Sequence, residues 1–140
     1  MTAPVTICRT EHPIVKYLIV EDDPNLRLLW NAVLSGRGYE VVEAETVEAA
    51  RAALRADDFD VMVLDLYLGR ENGLSLANFA ESVGTGCKVI IVTGAAGVRE
   101  EEIRAVSEAI VSVHRKPVDI EDLIDVCARL EGHTMRRASL

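Results

Sequence analysis

Five side chains of types that phosphoryl or metal chemistry uses each follow a short apolar run. Glu21 and Asp22 come after YLIV (17–20), Asp65 after VMVL (61–64), Thr93 after VIIV (89–92), and Lys116 shortly after VSV (111–113). Each has an ordinary explanation alone: an Asp opens turns, a Thr caps helices, a Lys stays solvated. Together they are a parts set for phosphoryl chemistry at a carboxylate. Asp65 is the candidate nucleophile, because a carboxylate can form an acyl phosphate. A bare carboxylate repels an incoming phosphoryl group, and crowded carboxylates repel one another. A hard divalent cation such as Mg2+, held by carboxylates, water and substrate oxygens, answers both objections. Asp22 and Asp65 are the natural direct ligands, with Glu21 able to act through water. Lys116 supplies a point charge, and Thr93 a hydroxyl donor, to the other phosphoryl oxygens. The last acid of the EDD run, Asp23, has a plainer job: Asp23-Pro24 reads as an N-cap acid followed by proline at the first helical position.

These residues need elements to position them. YEVVEA (39–44) is a fifth strand candidate, more polar than the others and so suited to a sheet edge. Between the strands, Leu26, Leu29, Trp30, Val33 and Leu34 follow helical spacing, as do Ala49, Ala50, Ala53 and Leu54, and again Ile120, Leu123, Ile124 and Cys127. Further helices are predicted over 72–83 and 98–109. Gly36 and Gly38 end the first helix, Thr46 caps the second, and the REEE run at 99–102 is a solvated face at a helix N-terminus. Strands that are apolar throughout, alternating with helices, imply a parallel sheet covered on both faces, and right-handed crossovers make it a doubly wound α/β sandwich. In such sheets ligands bind beyond the carboxyl ends of the strands, where the five side chains gather.

LIVEDDPNLR, VMVLDL with Gly73 beyond it, IVTG and the Lys116-Pro117 dipeptide together resemble the receiver (response regulator) domain of two-component signalling, over residues 15–131. The resemblance implies a flavodoxin-like five-stranded parallel sheet of order 2-1-3-4-5 and a cis Lys116-Pro117 bond. It implies phosphorylation of Asp65 by a histidine kinase or histidine phosphotransfer protein. It also implies Mg2+ on Asp22, Asp65 and the Tyr67 backbone carbonyl with Glu21 beside them, a switch hydroxyl on Thr93 and a charge partner on Lys116. Such a domain catalyses its own phosphorylation and hydrolysis and then docks on a downstream protein.

Three positions depart from the family pattern. Val113 stands where an aromatic usually swings inward, so the usual readout is expected to be absent or replaced. Gly69 replaces a usual proline, which predicts a more mobile loop. Tyr67 follows Asp65 by two residues, where its ring can lie over the phosphoryl site and hinder the attacking water. A phosphorylation-independent interaction module is therefore the alternative function. A dehalogenase-type phosphatase is disfavoured because Tyr67 occupies the place of its second Asp, and neither GxGxxG nor GxxxxGK[ST] occurs.

The bulk properties narrow the rest. With 140 residues the chain has the size of one domain, and its net charge of −8 argues against direct nucleic-acid binding. The apolar runs are too short to span a bilayer, and no signal-peptide core precedes them, which predicts a cytoplasmic protein. Cys8, Cys87 and Cys127 are too scattered for a disulfide framework or zinc site, and His12, His114 and His133 are equally dispersed. Residues 1–14 and 132–140 are expected to be flanking tails. RRAS near the end resembles a basophilic kinase site but reads better as exposed tail, and the protein as a single-domain receiver.

Overall fold

A computed structural model of the chain describes residues 14–68, 71–94 and 97–139. Cys8, His12 and Gly69 lie outside these residues, as does nearly all of the expected N-terminal tail. Five strands, β1 (Lys16–Val20), β2 (Glu40–Ala44), β3 (Val61–Asp65), β4 (Lys88–Thr93) and β5 (Ile110–Arg115), form one parallel sheet of order β2-β1-β3-β4-β5. This is the doubly wound flavodoxin-like order 2-1-3-4-5. The helices are α1 (Pro24–Gly36), α2 (Val47–Ala56), α3 (Ser75–Ser82), α4 (Glu100–Arg104) and α5 (Ile120–Ser139).

Side-chain alternation along the strands divides the core in two. Leu18, Val20, Met62, Leu64, Val89 and Ile91 face the layer that receives Leu54, Leu76, Ala77 and Ile103 from α2, α3 and α4. Tyr17, Ile19, Val61, Val63, Ile90 and Val92 face Trp30 and Leu34 of α1 and Leu123, Val126 and Cys127 of α5. Both sides of β3 are buried, which is why its sequence is apolar up to the terminal Asp65. Each such side chain taken from water contributes about 1.5–3 kcal/mol. The polar strand β2 lies at the edge.

Helix punctuation follows local chemistry. The Asp23 carboxylate accepts hydrogen bonds from the amides of Asn25 (2.9 Å) and Leu26 (3.4 Å), and Thr46 Oγ1 accepts from Ala49 N at 3.0 Å. After α1 the chain turns at Gly38 with φ +88°, a left-handed conformation suited to glycine.

Several boundaries differ from the sequence-based expectation. The helix expected over 98–109 is only Glu100–Arg104, because the chain must turn into β5, and the Ser107 hydroxyl accepts from Ala109 N at 3.1 Å to shape that turn. The last helix runs on to Ser139 instead of giving way to a tail at 132, since no proline interrupts a stretch otherwise rich in helix formers and Gly132 alone does not stop it. Strands of two residues, Tyr67–Leu68 and Glu71–Asn72, pair antiparallel just beyond β3. The Tyr39 hydroxyl donates to Glu131 at 2.6 Å, and Tyr39 stacks on Tyr17 with centroids 4.8 Å apart, fastening α5 to the end of α1.

Candidate functional site

The carboxyl ends of β1, β3, β4 and β5 meet on one side of the sheet. Glu21 and Asp22 leave β1, Asp65 ends β3, Thr93 ends β4, and Lys116 follows β5. Glu21 and Thr93 are fully buried, Asp65 is 3% exposed, and Asp22 faces solvent. Lys116 lies between the acids: its Nζ donates to Glu21 Oε1 and to Asp65 Oδ2, each at 3.0 Å. The cleft above them is lined by Glu21, Asp22, Asp23, Asp65, Tyr67, Gly94 and Lys116. The structure therefore brings Glu21, Asp22, Asp65, Tyr67 and Lys116 to one opening, with Thr93 buried at the adjacent strand end.

Backbone bonds hold each member in place. Glu21 N donates to Ala44 O at 3.1 Å, and Asp23 N returns to Glu21 Oε2 at 3.1 Å. Asp65 Oδ1 accepts from Tyr67 N at 3.2 Å, and Lys116 N donates to Thr93 O at 2.9 Å, just before the cis Lys116-Pro117 bond. Gly73 packs under the nucleophile candidate: a Cβ there would lie 2.9 Å from the Asp65 carbonyl oxygen and 3.2 Å from Leu64 Cδ1. Its amide donates to Leu66 O at 2.6 Å, tying the loop after β3 to the strand.

The electrostatics follow from crowding. Burial pushes the Glu21 carboxyl up to about 7, and its contact with Asp65 adds to the rise against the pull of the Asp23 amide and Lys116. Burial alone would lower the Lys116 ammonium, yet its bonds to Asp65 and Glu21 outweigh this and hold it above the usual lysine range. One ammonium thus serves two carboxylates. Glu21, Asp22 and Asp65 can also bring one oxygen each within 4.8 Å of one another. An all-oxygen set of this kind suits a hard divalent cation such as Mg2+.

Val113 pairs with Ile91 and packs half-buried against the core face of α2, α3 and α4. Tyr67 is 45% exposed at the mouth of the cleft. Sequence reasoning missed Arg27, which stands there only as the last residue of LIVEDDPNLR. Its Nη1 donates to the Glu21 carbonyl at 2.9 Å, and its Nε donates to Glu43 at 3.0 Å. The partners are far apart in the chain, so no local signal pointed to it. A separate apolar groove, lined by Leu26, Leu29, Trp30, Lys116, Pro117, Val118 and Ile120, opens beside Lys116 between α1 and the start of α5. Among the described residues no helix is long and apolar enough to cross a membrane.

Residues 17–128 match the response regulator receiver domain family. The chain is 33% identical over 124 residues to the two-component response regulator PprB of Pseudomonas aeruginosa, covering 86% of this chain and 45% of that protein. It is 32% identical over 112 residues to the transcriptional regulatory protein GlrR of Escherichia coli, covering 80% of this chain and 25% of that one. The chain thus spans less than half the length of these curated relatives. A solved CheY-like receiver domain protein from Methanospirillum hungatei superposes with a TM-score of 0.78 at 26% identity, covering 89% of this chain and 98% of that one.

Proposed function

Because this chain belongs to the response regulator receiver domain family, we propose that it signals by accepting a phosphoryl group on Asp65 from a phosphohistidine donor, a histidine kinase or histidine phosphotransfer protein. The observation that carries this reading is Lys116 Nζ held 3.0 Å from both Glu21 and Asp65 at the rim of a cleft shared with Asp22.

In the transfer, an Asp65 carboxylate oxygen forms a bond to phosphorus while the phosphorus–nitrogen bond to the donor imidazole breaks. The imidazole leaves with the electron pair and takes up a proton. Hydrolysis forms a water oxygen–phosphorus bond, breaks the acyl phosphate bond and restores the carboxylate, the water's proton passing to solvent. Asp22, Asp65 and the Tyr67 backbone carbonyl, with Glu21 beside them, would hold Mg2+, which when bound offsets the acids and draws charge from the phosphoryl oxygens. Lys116 exchanges its contact with Asp65 for a phosphoryl oxygen, and the Thr93 hydroxyl donates to another. Movement of Thr93 is the local event that a downstream protein reads. The chain acts as a phosphoacceptor and turns over only its own phosphoryl group.

One observation favours a second reading. Val113 is small and already packed against the core, so it has little to swing, and a fixed docking surface needs no phosphoryl group. Intact-mass analysis after incubation with acetyl phosphate and Mg2+ tests the proposal. One phosphoryl group is expected on the parent and none on Asp65→Asn or in the presence of chelator. An unmodified parent, with acetyl phosphate and with a panel of phosphorylated kinases, would favour the fixed interaction module.

A further inference from the structure

Arg27 joins three segments with one side chain. Its Nη1 donates to the Glu21 carbonyl at 2.9 Å, its Nε donates to Glu43 at 3.0 Å, and Nη1 lies 3.7 Å from Glu45. The side chain is only 17% exposed. Glu43 is itself held on the other side, where its second oxygen accepts from Asn31 Nδ2 at 2.5 Å. The guanidinium is therefore braced by β2 and α1 while it grips the peptide that separates Glu21 from Asp22. Elsewhere in this loop Glu21 N donates to Ala44 O and Arg27 N to Asp23 O at 3.0 Å, while Asp23 N donates to the Glu21 carboxylate at 3.1 Å. Without the guanidinium, the Glu21 carbonyl would lose the side-chain donor that sets the tilt of the Glu21–Asp22 peptide, from which the Asp22 carboxylate projects.

We propose that Arg27 is the positioning residue of the cation site, orienting the Glu21–Asp22 peptide so that the Asp22 carboxylate converges with Asp65. This inference rests on the phosphoacceptor reading of the same cleft. Two effects of Arg27 oppose each other. Its positive charge near the acids disfavours a second cation, while its fork orders the loop that holds one. Glu43 and Glu45 sit against the guanidinium and offset that charge, so the ordering effect dominates. A lysine cannot reproduce it, because one ammonium does not present two donors in a rigid plane to a carbonyl and a carboxylate at once. Partners of this outer kind typically change metal affinity by about 10- to 100-fold.

The test is a Mg2+ titration of the full chain followed by the Asp22 and Asp23 backbone amide signals in NMR, for the parent, Arg27→Lys and Arg27→Ala. Thermal unfolding without added metal is measured beside it. The expected result is a Kd raised at least about tenfold in Arg27→Ala, with a smaller rise in Arg27→Lys although its charge is kept. The amide spectra should otherwise overlay away from the 21–27 and 43–45 segments. Equal or tighter Mg2+ binding by Arg27→Ala would overturn the positioning role and leave the phosphoacceptor reading intact. A parent whose amides do not respond to Mg2+ would overturn the cation site itself, and the inference with it. If Arg27→Ala fails to fold, Glu43→Gln, which keeps the guanidinium and weakens its brace, is expected to raise the Kd in the same direction, and an unchanged Kd there would overturn the role.

Discussion

At the scale of single residues the site is a problem of shared charge. Glu21 keeps its proton up to about 7 in the folded chain, against 4.5 when unperturbed, chiefly because it is buried. Between those values the native state binds more protons than the unfolded one, so the Glu21 contribution to stability falls as pH rises through that window and levels off above it. Denaturant midpoints of the parent and Glu21→Gln, compared without divalent cation from pH ~5 to ~8, should show the parent losing ground to the variant as pH increases. A parallel pair of curves would mean that the acid is not perturbed. Tyr67 makes a second residue-scale prediction. Its ring is exposed at the cleft mouth, a place from which it would obstruct water approaching a phosphorylated Asp65. Tyr67→Ala is expected to hydrolyse its acyl phosphate several-fold faster, and equal half-lives by mass spectrometry would remove that role. The acids, Thr93 and Lys116 were legible as candidates because each directly follows or lies close to an apolar run. Arg27 was not, because its meaning lies in a carbonyl and a glutamate 16 positions away.

At the scale of elements, the inner strands were readable for a simple reason: burial on both faces removes polar residues from a segment, and β1, β3 and β4 carry that mark. The caps were readable too, since Asp23 and Thr46 act on amides two or three positions on. Two things escaped. The ladder Tyr67–Leu68 with Glu71–Asn72 is too short to have a period. The end of α4 is set by where β5 must begin, a demand from outside the segment, so the apolar spacing of 98–109 overstated it. The loop after β3 yields a prediction at this scale. Gly73 has room for no side chain, with the Asp65 carbonyl 2.9 Å from an added Cβ. Gly73→Ala should therefore cost about 1–3 kcal/mol in urea unfolding and lower the phosphorylation rate by displacing Asp65. A variant with parent-like stability would show that the loop yields freely.

The molecule as a whole is a sheet with two separate apolar layers, one against α1 and α5 and the other against α2, α3 and α4. Both layers depend on β1, β3 and β4, which are flanked on each side by other strands. Native-state hydrogen exchange should find the slowest amides in those three strands, with β2, β5 and the five-residue α4 opening first. Comparable protection in the edge strand β2 would contradict this order. The layered arrangement was legible from sequence as a class. The length of α5 was not, because the helical spacing of Ile120, Leu123, Ile124 and Cys127 says where a helix packs and not how far it continues past the sheet. One corner of the molecule offers an optical advantage. The sequence contains a single tryptophan, Trp30, buried at 1% exposure and lining the groove that also includes Lys116 and Pro117. Indole emission from this sequence therefore originates at one known address, in a groove that Trp30 shares with the residue that joins the two acids. A shift in its wavelength or intensity on phosphorylation would report rearrangement at Lys116 in real time, free of background from any other fluorophore of its class.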